Sequence, residues 1–107
     1  MRMDVYFTAT PKRIESNKGY LENNVDVVLE IINIIPSARI TTDILVNKKD
    51  LEKLLKNLKT KRDELLSITR NKINKKRLKN IKEGIEALQL ILDNFDFNKN
   101  FLYIYYE

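Results

Sequence analysis

Leu78-Lys79-Asn80-Ile81-Lys82-Glu83-Gly84-Ile85-Glu86-Ala87-Leu88-Gln89-Leu90-Ile91-Leu92-Asp93-Asn94-Phe95 is the stretch on which the fold turns. Leu78, Ile81, Ile85, Leu88, Leu92 and Phe95 recur at intervals of three and four. That spacing puts them on one stripe of an α-helix. Gly84 interrupts the stripe at a cost of about 1 kcal/mol relative to alanine. Leu90 lies nearly half a turn away from it. Read as a helix, the stretch calls for a partner surface along one side. A strand is the competing reading. The periodicity favours the helix, and Leu90 is the one residue favouring the strand.

Upstream, Leu51, Leu54, Leu55, Leu58, Leu65 and Leu66 mark the apolar stripe of another helix. It begins near Leu51 and is capped by Asn47 or Asp50. Ser67 to Asn74 breaks the pattern and reads as a turn. Leu21, Val25, Val28, Ile32 and Ile35 give a further helix, ended by Pro36. Val27, Leu29, Ile31 and Ile34 widen its apolar surface, so it is expected to be mostly covered. Strand composition appears in Asp4 to Thr10, in Arg39 to Val46 and in Phe101 to Tyr106. Lys12 to Gly19 is polar and reads as a loop. The order strand, helix, strand, helix, helix, strand predicts a small single α/β domain. Its sheet should have three or four strands and be mostly parallel, because parallel neighbours need crossover helices.

Composition removes several chemistries. Among 107 residues there is no cysteine and no histidine. Thiolate zinc sites, Cys nucleophiles, Ser-His-Asp catalysis and imidazole ligation are therefore excluded. Gly19 and Gly84 are the two glycines, too few for a phosphate-cradling loop. No apolar run is long enough to span a bilayer, and MRMDVYF lacks the apolar core of a signal peptide. A cytoplasmic location, no membrane contact and no cofactor are expected. Twelve asparagines beside many lysines and isoleucines fit an AT-rich coding bias, such as that of a phage or mobile element.

Charge is divided. Lys48 to Lys82 holds fourteen Lys or Arg against Asp50, Glu52, Asp63 and Glu64, a net of +10, although the whole chain is only +5. The remaining residues are therefore net acidic. The densest part, Arg70, Lys72, Lys75, Lys76, Arg77, Lys79 and Lys82, contains no acid. Lys75, Lys76, Lys79 and Lys82 oppose the Leu78/Ile81/Ile85 stripe. Such a face suits the phosphates of a nucleic acid or of a nucleotide ligand, or an acidic protein surface. The plainer reading is a solvated face with Lys79–Glu83 and Lys82–Glu86 pairs at i,i+4. No aromatic lies between the bases, so stacking on single-stranded bases is not indicated.

Tyr103, Tyr105 and Tyr106 form a second candidate. They suit an interface, with a homodimer pairing through the C-terminal strand, or simple packing on helices. Asp43, Asp93 and Asp96 would make an acid/base or metal site only if the fold gathers them.

Tyr6-Phe7-Thr8-Ala9-Thr10-Pro11-Lys12 resembles the first strand of the nucleoside 2-deoxyribosyltransferase-like families, which are related in fold to TIR domains. The resemblance extends over a helix at Asn24 to Ile35, a second strand ending at Thr42-Asp43, and Gly84 to Asp93. It implies that residues 86–92 are a strand, and that the activity is on the N-glycosidic bond of a nucleoside or nucleotide. The family's glycine-bearing segment with the catalytic glutamate has no counterpart after Asp93, where Asn94-Phe95-Asp96-Phe97-Asn98-Lys99-Asn100 follows and Glu107 is the next glutamate. The reading carried forward is a small non-catalytic protein that engages an anionic partner through its basic helices. A deoxyribosyltransferase-like enzyme and a structural homodimer are the alternatives.

Overall fold

The computed structural model describes residues 4–10, 20–35, 43–68, 72–99 and 101–106. The deciding stretch is helical throughout, inside α3 (Lys72–Asn94). Ile81, Ala87, Leu88 and Ile91 are buried along its inner side, with Leu78, Ile85 and Leu92 packed against them. Leu90 departs from the stripe for a tertiary reason. It lines a cleft with Tyr20 and Leu21, so α3 is covered on a second side by a strand.

The elements before α3 are β1 (Val5–Thr10), β2 (Tyr20–Leu21), α1 (Val25–Ile34), β3 (Asp43–Val46) and α2 (Lys48–Leu66), and β4 (Phe101–Tyr106) follows it. Asn47 caps α2, its side-chain oxygen accepting from the Asp50 amide at 2.8 Å. Asn24 caps α1 in the same way through the Val27 amide, at 3.2 Å. Ser67 and Ile68 form the turn after α2. Pro36, the Lys12–Gly19 loop and the first half of the expected 39–46 strand lie outside the described residues. Three boundaries or exposures differ from expectation. Leu21 reaches the core from β2 rather than from α1. Leu66 is exposed at the end of α2 instead of continuing its buried stripe. Val25 and Leu29 also stay exposed, so α1 is covered on one side only.

The sheet corrects the expected topology. Among the described residues it has four strands, ordered β2-β1-β4-β3, and every neighbouring pair is antiparallel. β1 and β3 do run in the same direction, but β4 lies between them. The cause is the pair of helices before β4. Two successive antiparallel helices, α2 and α3, return the chain to the end of the sheet where β3 finishes, so β4 runs back antiparallel to β3. Val46 at the close of β3 pairs with Leu102 near the start of β4, as that argument requires. The fourth strand, β2, is only two residues long, too short for a periodic signal.

Alternation in the strands sets the layers. Val5, Phe7, Ile44, Val46, Leu102 and Ile104 point inward and are buried beneath the helices. Tyr6, Leu45, Phe101, Tyr103 and Tyr105 occupy the other face. α2 and α3 form an antiparallel hairpin, and α1 packs against both of its helices. Gly84 sits where the three meet. A Cβ there would lie 2.5 Å from Val27 Cγ2 and 3.4 Å from Leu58 Cδ1. The glycine that looked like a local cost is what allows this close approach. The molecule is elongated, 44 × 28 × 24 Å.

Candidate polyanion interface on the third helix

Helical spacing sends Lys75, Lys76, Lys79 and Lys82 away from the buried Ile81 and Leu88, and all four are exposed. None forms an ion pair within 4.0 Å among the described residues, whose bridges involve Lys61, Arg62 and Arg77. The i,i+4 pairs Lys79–Glu83 and Lys82–Glu86, which would have made this an ordinary solvated face, are therefore not formed. Lys72 opens α3. Arg70 lies outside the described residues.

Arg77 does something different from its neighbours. Its Nε donates to Asp26 Oδ1 at 3.2 Å. Asn80 Nδ2 donates to the other oxygen of the same carboxylate, also at 3.2 Å. Asn24, which caps α1, donates from Nδ2 to the Asn80 carbonyl at 2.8 Å. One turn further along α1, Glu30 Oε2 lies 2.8 Å from Lys61 Nζ on α2. Asp26 and Glu30 are both buried. The acidic and basic halves of the sequence thus meet partly within the molecule, α1 presenting one carboxylate to each helix of the hairpin. Buried charges need such partners, because desolvating an unpaired carboxylate is costly. Of the sequence candidates, Arg77 is structural on this geometry, and the lysines are the groups left facing outward.

The basic face has a defined end. Beyond Lys82 the outward residues of α3 change sign at Glu83 and Glu86. With Glu22 they rim the cleft of about 320 Å³ between α3 and β2. Among the described residues no group of three acids, histidines or cysteines is placed to hold a metal ion.

The tyrosines lie elsewhere. Tyr103 and Tyr105 project from the open face of β4, and β4 is an inner strand with β1 and β3 on its two sides. The expected edge-to-edge dimer through the C-terminal strand is therefore closed off, since neither edge of β4 is free. Tyr106 is paired in register with Val5, and its side chain lies outside the described part. Two rings not singled out in the sequence join the set. Tyr6 stacks on Tyr20 with centroids 4.9 Å apart and tilts against Tyr105 at 5.8 Å. The result is a row of three rings across β2, β1 and β4. The available signal was the alternation Val5-Tyr6-Phe7, which sends Tyr6 to the face opposite the core.

The candidate carboxylates are not gathered. Asp43 is level with Tyr105 and Tyr6 at one end of the sheet. Asp93 and Asp96 are at the other end, before β4 begins. Asp93 accepts from Gln89 Nε2 at 3.0 Å, and Asp96 accepts from the Asn98 amide at 2.9 Å. Both are used locally. No described helix is long and apolar enough to cross a membrane. No family model matches the chain, and neither a curated protein nor a solved structure matches it.

Proposed function

We propose that the protein is a nucleic-acid-binding module that performs no chemistry on its ligand, and that the outward face of α3 is the binding surface. The observation that carries this reading is the set of four exposed lysines, Lys75, Lys76, Lys79 and Lys82, with no described acid bound to them. Lysines left unpaired while other bases in the same hairpin are paired internally are free to replace the counterions condensed on a polyphosphate. The enzyme alternative has less support. Asp43 stands at the opposite end of the sheet from Asp93 and Asp96, and the segment that the deoxyribosyltransferase resemblance makes a strand is helical.

A homodimer remains a second reading, moved from the edge of β4 to the open sheet face. The observation favouring it is the aromatic and aliphatic composition of that face, Tyr6, Tyr20, Tyr103 and Tyr105 with exposed Leu45 and Phe101. Its size argues for weak association. The strands, of six, two, four and six residues, at about 3.3 Å per residue and about 4.8 Å apart cover roughly 290 Å², about a third of what one partner contributes to a standard interface.

The test is titration of the protein against labelled nucleic acid over a range of salt. Exchanging all four lysines for glutamine should weaken binding and flatten its salt dependence. Unchanged binding at every salt concentration would remove α3 from the interface.

A further inference from the structure

We infer that the ligand is a double-stranded nucleic acid, held by its phosphates without discrimination of base sequence. This rests on the nucleic-acid reading above and specifies its substrate class.

The first argument is which side chains face outward. Base identity is read best by planar side chains that form paired hydrogen bonds, namely Arg, Asn and Gln. The basic half of α3 offers two such described groups, Arg77 and Asn80, and both are bonded to Asp26 of α1. Arg77 is half-exposed, but its Nε bond holds the guanidinium against α1. Among the described residues of this half, the outward groups with no hydrogen-bond or ion-pair partner are lysines. A lysine ammonium can reach guanine, yet its flexible stem and three rotatable donors impose no single geometry, so it acts as a point charge. Phosphate contacts of this kind position a ligand without reading it.

The second argument separates duplex from single strand. Single strands are gripped by stacking bases on rings as well as by charge. Tyr6 and Tyr105 lie on the open face of the sheet, α3 belongs to the layer covering its opposite face, and Tyr20, where it borders α3, meets Glu83 and Glu86 rather than the lysines. Lysines and rings cannot share one short strand in the way a stacking groove requires.

A third argument separates nucleic acid from acidic protein. Protein interfaces are depleted in lysine and centre on buried aromatic or apolar anchors. The lysine face, from 75 to 82, exposes Lys75, Lys76, Arg77, Lys79 and Lys82, and no apolar side chain is exposed among them. Its dimensions suit a duplex. Seven residues of helix at about 1.5 Å each span about 10 Å. A duplex carries one phosphate per about 3.4 Å of each strand, so roughly three phosphates of each strand lie along that length, and four lysines can meet them where both strands flank the helix. Glu83 and Glu86 then close the track.

The experiment is fluorescence anisotropy with the intact chain. The probes are two labelled duplexes of unrelated sequence, one GC-rich and one AT-rich, together with their separate strands and polyglutamate. The two duplexes should bind within about threefold of each other and more tightly than either single strand. At about 0.9 per contact, the four lysines should contribute about 3.6 to the log–log salt slope, or roughly 150-fold in affinity between 50 and 200 mM salt. Each Lys→Gln exchange should lower the slope by about 0.9. Circular dichroism and thermal melting of the variants should match the parent, showing that they fold. A tenfold preference for one duplex, or tighter binding of a single strand, overturns the inference and leaves the nucleic-acid reading standing. Binding to polyglutamate alone, or to no probe, overturns both. Duplex binding whose slope is indifferent to the four exchanges overturns the assignment of the site.

Discussion

Replacing Gly84 by alanine tests the packing on which the rest of the structure depends. In an exposed helix the change would stabilise by about 1 kcal/mol, because glycine is a poor helix former. Here the added methyl would stand 2.5 Å from Val27 Cγ2, well inside van der Waals contact. Val27 is fully buried on α1, and a β-branched side chain in a helix has one strongly preferred rotamer. It cannot swing aside, so α1 must move off the hairpin. Overpacking of this kind costs about 1–3 kcal/mol. The packing cost should win, leaving a net loss of about 1 kcal/mol. In a domain of this size that is a fall in Tm of about 4–8 °C. Urea unfolding by circular dichroism measures it directly. Combining Gly84→Ala with Val27→Ala removes the clashing methyl, so the double variant should be more stable than the sum of the two single changes implies. If Gly84→Ala raises stability by about 1 kcal/mol, α1 does not approach α3 this closely and the glycine is only a local weakness.

Other substitutions probe the polar contacts and the core. Asn24→Ala removes both the cap on α1 and the bond to the Asn80 carbonyl from a fully buried site. It should cost about 1–2 kcal/mol in urea unfolding, clearly more than Asn47→Ala at the exposed start of α2. Asp26→Ala strands Asn80 and releases Arg77, and should cost about 1–3 kcal/mol, and Lys61→Ala, which leaves the buried Glu30 carboxylate without its ammonium, should cost at least as much. A Lys61→Ala loss well under about 1 kcal/mol would show that Glu30 is not held as a buried charge. Val28→Ala at a buried position should cost about 2 kcal/mol, and Ile32→Ala, at a half-buried one, should fall below the usual core range. Exchange of the four outward lysines for glutamine should shift stability by no more than about half a kilocalorie.

Parts of the candidate site were readable from local pattern. Lys75, Lys76, Lys79 and Lys82 oppose an apolar stripe, and helical geometry alone sends them to the surface. Arg77 could not be distinguished from them in the same way, because Asp26, the carboxylate that binds it, is 51 residues away. The expected Lys79–Glu83 and Lys82–Glu86 pairs were compatible with spacing, but spacing makes a contact feasible without making it form. Tyr6 was legible as an outward residue of its strand. That it would meet Tyr20 and Tyr105 depended on which strands stand beside β1.

What the sequence determined by itself is therefore the helices, the three longer strands and most of their buried sides. The period of 3.6 residues in Leu78 to Phe95, the period of two in β1 and β4, and the cap at Asn47 are interactions within a few residues, and they are written locally. Tertiary structure decided the neighbours. A strand's alternation says which side chains face the core, but its hydrogen-bonding edges are chemically alike and accept a partner in either direction. The antiparallel direction of β4 followed from two helices in succession returning the chain to the far end of the sheet, and its place between β1 and β3 is a matter of tertiary pairing. The role of Gly84 followed from the convergence of α1, α2 and α3 on one point, where the methyl of any other residue would collide with Val27.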